Sequence, residues 1–378
     1  MPNPFKPTAG ANPPILVGRD DMLDEFEESL DDGPGSPARL CRITGARGVG
    51  KTALLAELAE RARPRGWVLL SENAYAGLNA RLAERADQVR AKLDTAPPGR
   101  LVTSVQGNLG PVGAGVGLAG PSAAPTGLRY RLEALLDAVE QHGGGVLITV
   151  DEIQGASAGD LRELAATFQH LVSEDRDVAL AIAGLPSAVS DILNDKVLTF
   201  LRRATPFELE EVPLDLVSSA LEQTIRTGGR SIDRDALDLA AGATAGYPFM
   251  IQLVGYHLWG RADADGHIGL PQAEAAVERA RRRLGATVHQ TALADLSEVD
   301  RSYLVAMAQD DGPSRTSRVA ERMGVEPGYA QVYRTRLREA GMIEVVGRGL
   351  VDFTLPYLRD YLREHGSRYP MRALADGP

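Results

Sequence analysis

The sequence predicts an α/β fold: a doubly wound parallel sheet first, then an all-helical segment, then a small unit of three helices and a β-ribbon. Three observations carry this. Arg39 to Ala62 reads as strand, Gly-rich loop, helix, which is the order a phosphate site requires. Val146 to Val150 and Val178 to Ala183 are continuous apolar runs, the pattern of strands buried on both faces of a parallel sheet. Beyond Pro213 strand patterns give way to helical periodicity.

Taken in order, residues 1–14 hold Pro2, Pro4, Pro7, Pro13 and Pro14 and read as an extended lead-in. The α/β domain spans 15–210. Its strands are expected at Arg39–Thr44, Trp67–Ser71, Val146–Val150, Val178–Ala183 and Thr205–Leu209, with helices at Thr52–Ala62, Leu78–Leu93 and Leu128–Gln141. A Gly/Pro/Ala stretch from Gly107 to Thr126 reads as a long exposed hairpin or loop. Helices at Val217–Arg226, Ala236–Ala241, Phe249–Leu258 and Gln272–Leu284 make up a helical domain over 211–290. The last unit, 291–366, has helices at Val299–Ala308, Ser314–Met323 and Pro327–Ala340, then a two-stranded ribbon from Glu344 to Phe353 turning at Gly347-Arg348-Gly349. A tail, 367–378, follows.

Composition narrows the function classes. Hydrophobic residues make up 44% and charged residues 24%, which suits a water-soluble globular chain. No 18-residue apolar run exists, so neither a signal peptide nor a membrane span is expected. The lone Cys41 forms no internal disulfide, no Cys/His cluster has zinc spacing, and a reducing cytoplasm fits best. A net charge of −10 argues against a protein that coats nucleic acid over its whole surface, though not against a local basic face.

Gly45-Ala46-Arg47-Gly48-Val49-Gly50-Lys51-Thr52 is a G-x-x-x-x-G-K-T loop. Its glycines let backbone N–H groups curl around phosphate oxygens, Lys51 neutralises the β/γ-phosphates and the Thr52 hydroxyl is a Mg²⁺ ligand. The chemistry expected is binding of a purine nucleoside triphosphate, ATP with Mg²⁺. The second half of such a site is an acid at the end of a buried strand, and Asp151-Glu152 supplies it. Asp151 is the candidate for holding Mg²⁺ and Glu152 the candidate general base for an attacking water. Gly115 to Gly120 matches the G-x-G-x-x-G dinucleotide fingerprint, but Pro121 and a Ser/Ala/Pro run follow where a helix is needed. A nicotinamide or flavin site is therefore not expected there.

These motifs resemble those of AAA+ and STAND-type ATPases, in particular archaeal-type and origin-recognition-like members with a C-terminal winged helix. Ile15-Leu16-Val17-Gly18-Arg19-Asp20 is similar to the segment whose backbone lines the adenine pocket, which assigns Val17, Gly18 and Arg19 to nucleotide binding. Asp151-Glu152 resembles the Walker B pair. Gly246-Tyr247-Pro248 resembles the G-x-P motif through which a helical lid touches the nucleotide, with Pro248 as the contact. The resemblance implies a P-loop NTPase domain, a helical lid and a winged helix. Arg203 stands where such families keep an arginine that reaches a neighbour's γ-phosphate. The strand ending at Ala183 runs into Gly184-Leu185-Pro186 without the family's polar sensor, Ser187 being the nearest substitute, and the lid helix lacks a second sensor arginine; slow turnover follows.

The expected recognition helix carries Val332, Leu337 and Ala340 inward and Tyr333, Arg334, Arg336 and Arg338 outward. Those arginines, with Arg348 at the wing tip, are candidates for double-stranded DNA. Ten arginines against eleven acids in Leu296–Gly366 argue the other way, toward an internal or protein-binding module and self-association. Arg279, Arg281, Arg282 and Arg283 read as a solvated helix face.

Overall fold

A computed structural model describes residues 2–8, 16–95, 127–194 and 199–369. The Gly107–Thr126 stretch, with its G-x-G-x-x-G decoy, lies outside them, as do Ile15 and the tail beyond Tyr369.

Helix α1 (Asp20–Asp31) precedes β1 (Leu40–Gly45), the phosphate loop and α2 (Lys51–Ala62). Then follow β2 (Val68–Asn73), α3 (Leu78–Thr95), α4 (Leu128–Glu140), β3 (Val146–Asp151), α5 (Ala158–Ser173), β4 (Val178–Gly184), α6 (Pro186–Asn194) and β5 (Thr205–Leu209). The five strands form one parallel sheet in the order β2-β3-β4-β1-β5. β3 and β4 are buried at every position, as their unbroken apolar runs require. Alternate residues feed two cores. Cys41, Ile43, Ala181 and Phe207 face α1 and α2, while Val146, Ile148, Leu180 and Ile182 face α3, α4 and α5. Parallel pairing puts the carboxyl ends of β1, β3 and β4 (Gly45, Asp151 and Gly184) along one edge, where ligands of such sheets bind.

The helical segment comprises α7 (Leu214–Thr227), β6 (Ser231–Ile232), α8 (Arg234–Gly242), α9 (Pro248–Trp259), β7 (His267–Ile268) and α10 (Leu270–Leu284). A π-helical turn (Gly285–His289) joins α10 to α11 (Gln290–Ala294). The third unit contains α12 (Glu298–Met307), β8 (Ser314–Arg315), α13 (Thr316–Met323), α14 (Pro327–Glu339), β9 (Ile343–Gly347), β10 (Leu350–Phe353) and α15 (Leu358–Glu364). Its antiparallel sheet has three strands, β8-β10-β9, rather than two, because Ser314 and Arg315 pair with Val351 and Leu350 instead of starting a helix. Three helices closed by such a sheet give the winged-helix arrangement. The first core runs unbroken from the phosphate-loop face of the sheet through the helical segment into this unit.

Two expectations change. Val332 is 54% exposed, not inward, because α14 buries only the narrow stripe of Ala330 and Leu337. Residues 2–8 of the lead-in are also anchored: Phe5 is buried against Gly255 of α9, and the Lys6 N–H donates to Gln252 Oε1 at 3.1 Å. Arg281 is not simply solvated, since its guanidinium lies 4.5 Å over the Tyr357 ring. Among the described residues no helix is long and apolar enough to cross a membrane.

Candidate functional site

The loop between β1 and α2 is built by close approach. A side chain at Gly48 (φ +78°) would put a Cβ 1.9 Å from the Tyr247 hydroxyl oxygen, so nothing larger fits. Lys51 opens α2 and is buried, and its ammonium donates to the carbonyls of Gly45 (2.9 Å) and Ala46 (2.8 Å). Burial pulls the Lys51 pKa below its ordinary value, against the opposing pull of Glu152 and then Asp151. The charge thus sits under the loop with its counter-charges beside it.

Strand β3 delivers the acids. The Thr52 hydroxyl donates to Asp151 Oδ2 at 2.5 Å, and the buried Asp151 carboxylate also accepts the Glu152 N–H at 2.8 Å. A threonine hydroxyl and a carboxylate held edge to edge are hard oxygen donors, the set that suits Mg²⁺ with water completing the shell. Glu152 follows in a left-handed conformation (φ 53°, ψ 48°), which turns its side chain away from the strand direction. Its carboxylate accepts a hydrogen bond from the Gln154 amide.

On the other side stand Val17, Gly18 and Arg19. Gly18 has φ +69°, and Leu216 and Val212 stand over it. Arg19 is buried and donates to the carbonyl of Glu210 at 2.5 Å. Burial lowers its pKa, with Glu210 and Glu211 offsetting part of the effect. The turn at Gly18 therefore packs against Val212 and the start of α7.

The turn before α9 closes the site. Gly246 (φ +69°) packs so tightly that a Cβ would stand 2.4 Å from the Val212 carbonyl, whose residue's N–H donates to Gly246 O at 2.8 Å. Pro248 occupies the first position of α9, where its missing N–H costs nothing. The residue that reaches the phosphate loop is its neighbour: Tyr247 is buried and its hydroxyl donates to Arg47 O at 2.8 Å. Sequence reading quoted Tyr247 only as the variable position of a motif. The signal available was a large side chain beside the glycine that docks on the loop.

Several candidates lie elsewhere. Arg203 is exposed just before β5, at the end of that strand opposite Leu209 and Gly45, so it does not join the phosphate loop of its own chain. Ser187 does not face the phosphate loop either; its hydroxyl donates to Glu339 O at 3.1 Å, at the end of α14. The polar group that does meet the end of β4 is Gln154, whose Oε1 accepts the Leu185 N–H at 3.4 Å. Arg336 is not a free surface charge: it pairs with the buried Asp300 at 2.9 Å and stacks 5.6 Å over Tyr333. Arg334 is half-buried and donates to Gln331 at 3.0 Å, and Arg338 and Arg348 are exposed on the same unit.

Comparison with known proteins accords with this geometry. Residues 15–182 match the family described as AAA ATPase domain, and residues 286–362 match a domain of unknown function (DUF8462). No curated protein matches the chain. Among solved structures the chain is similar to the Walker-type ATPase of Pyrococcus abyssi (16% identity, 92% of this chain and 96% of that one, TM-score 0.63). It is also similar to the Aeropyrum pernix ORC2 protein in its ADPNP–ADP complexes (16%, 95% and 96%, TM-score 0.58). The ADP form of that protein matches too (16%, 97% and 98%, TM-score 0.51). Residues 15–182 thus match an AAA ATPase domain, and the chain as a whole shares the fold of these solved structures.

Proposed function

We propose that this protein binds ATP with Mg²⁺ and hydrolyses it slowly, as a switch whose nucleotide state sets the arrangement of its three parts. The observation that carries the reading is the meeting of Lys51, Thr52 and Asp151 at the carboxyl edge of the sheet, with Glu152 next in line. Gly45 to Thr52 bind the phosphates, Val17, Gly18 and Arg19 line the base pocket, and Pro248 closes it from the lid. Thr52 and Asp151 would hold Mg²⁺, which supplies charge neutralisation on the β/γ-phosphate oxygens. Glu152 orients and deprotonates the attacking water. Lys51 holds charge that develops on the γ-phosphate, and Arg203 serves a neighbouring copy rather than its own site.

The third unit acts first as an internal reporter. Three contacts support this: Ser187 to Glu339, Tyr357 Oη to Ala243 O at 2.6 Å, and the Arg47–Asp295 pair at 3.7 Å that reaches from the phosphate loop to the start of the unit. The exposed Tyr329 and Val332 on α14 and Val345 and Val346 on β9 suit a protein partner or a second copy better than a phosphate backbone. A second reading, DNA contact, rests on Arg334, Arg338 and Arg348, for which no ion pair is formed among the described residues; Arg336, tied to Asp300, supports the helix instead.

One set of variants tests this. Lys51→Ala is expected to lose ATP binding, whereas Glu152→Gln keeps binding and loses turnover by about 10²-fold or more. Equal turnover in Glu152→Gln and wild type would sink the hydrolase reading. Sizing with ADP and with a non-hydrolysable ATP analogue, with and without duplex DNA, separates self-association from DNA contact. Retention on DNA that survives changing Arg334, Arg338 and Arg348 together to Ala removes those residues from the interface.

A further inference from the structure

Gln154 is two residues beyond Glu152, on the short 3₁₀ turn Ile153–Gly155 that follows β3. Its side chain is bonded at both ends. The amide nitrogen donates to Glu152 Oε2, and the amide oxygen accepts the N–H of Leu185 at 3.4 Å. Leu185 directly follows β4, and Pro186 starts α6. The approach between the two turns is close: a Cβ on Gly184 would stand 2.5 Å from Ile153 Cγ2 and 3.1 Å from Gln154 Oε1. A bulkier residue at the strand end would push Gln154 off.

The same short segment is where the third unit lands. Leu185 is buried, and its Cδ2 lies 3.1 Å from where a Cβ of Gly341 would be. Two residues on, the Ser187 hydroxyl donates to Glu339 O at 3.1 Å. Both contacts fall at the carboxyl end of α14. Moving α14 relative to α6 therefore moves the N–H that holds Gln154, and Gln154 holds the carboxylate. Glu152 and Gln154 are both exposed, so packing does not fix the pair independently of Leu185.

We infer that Gln154 is a positioning residue through which docking of the end of α14 on Leu185–Ser187 restrains the Glu152 carboxylate and slows hydrolysis. The inference rests on the reading of Glu152 as the base. A carboxylate held by an amide N–H is less free to turn toward water, so the bond acts against turnover. When nucleotide binding shifts the third unit, Leu185 moves and the restraint loosens.

The test uses the full chain with ATP and Mg²⁺. Gln154→Ala is expected to raise kcat about five-fold while KM for ATP stays within about two-fold, since the residue acts on Glu152 and not on binding. Ser187→Ala should act in the same direction, and the double variant should fall well short of the product of the two effects, because both cut one route. Hydrogen exchange gives a readout that does not need turnover: ATP should alter exchange over residues 337–342 in wild type and equally in Gln154→Ala, because the shift of the third unit precedes the relay. A kcat that is unchanged or lower in Gln154→Ala overturns the relay, and so do multiplicative effects or exchange over residues 337–342 that ATP leaves unaltered in wild type. Wild-type protein that binds ATP without turnover takes down the hydrolase reading instead, and a relay that slows hydrolysis goes with it.

Discussion

At the scale of single residues, the phosphate loop is held from two sides by groups that differ in how far they could be read. Lys51, Thr52 and Asp151 were legible because each is a fixed part of a motif; Thr52 bonds Asp151 directly, and Lys51 bonds the loop carbonyls of Gly45 and Ala46. Tyr247 was not, because its role depends on an approach between elements about 200 residues apart in sequence, which periodicity does not encode. Burial raises its phenol pKa far above the ordinary value, so the group is a neutral O–H donor. That donor ties down the carbonyl of Arg47 within the phosphate loop. Tyr247→Phe keeps the ring and its packing but leaves the Arg47 carbonyl unbonded, a loss of about 1 kcal/mol. The ATP dissociation constant should rise about five-fold, with little change in melting temperature. A titration with a fluorescent ATP analogue beside a thermal melt checks both. Unchanged affinity would show that the hydroxyl only fills space.

At the scale of elements, legibility follows burial. β3 and β4 could be located within a residue because strands buried on both faces leave unbroken apolar runs. α1 and α5 were not read: their apolar residues are spaced among charges, and their faces only become clear once the sheet is there to cover them. β8 is two residues long and has no periodicity at all; it exists because Val351 pairs with Ser314. The π-helical turn Gly285–His289 was equally invisible. It lets the rod from α10 into α11 shift register, and Gly285 gives it room against α15. A Cβ there would stand 2.8 Å from Tyr361 Cδ2. Gly285→Ala in an ordinary exposed helix would stabilise by about 1 kcal/mol, but crowding a packed aromatic costs about 1–3 kcal/mol. Crowding wins, because Tyr361 is itself buried beneath the turn. The variant should therefore be less stable by about 1 kcal/mol, read as a lower urea midpoint. A midpoint at or above wild type would mean that α15 gives way freely.

At the scale of the whole molecule, the connection between lid and third unit makes stability depend on pH in a predictable way. His289 is 1% exposed at the end of the π-helical turn, with Nε2 2.9 Å from the carbonyl of Pro356 and its ring 5.3 Å from Tyr361. Nδ1 is buried and lacks a hydrogen-bond partner, so the neutral tautomer with the proton on Nε2 fits the site. Burial lowers its pKa from 6.5 to about 4, and the bond to Pro356 opposes this only in part. The unfolded chain takes up a proton as pH falls through 6.5, whereas the fold refuses it until about pH 4. Stability present above pH 6.5 is therefore lost progressively as pH falls toward 4, and the loss by pH 4.5 is about 2–3 kcal/mol. Asp310 shifts in the other sense: its bond to Arg322 holds it below 3.8, so its contribution fades only under that value, outside this window. Comparing urea midpoints at pH 7 and pH 4.5 for wild type and His289→Gln isolates the histidine. Wild type should lose about 2–3 kcal/mol more than the variant over that interval. Because His289 sits where the lid meets the third unit, the first transition on acidification should also release that unit, seen as early hydrogen exchange in α15. Equal losses in the two proteins would mean that the imidazole takes up its proton without breaking the contact with Pro356.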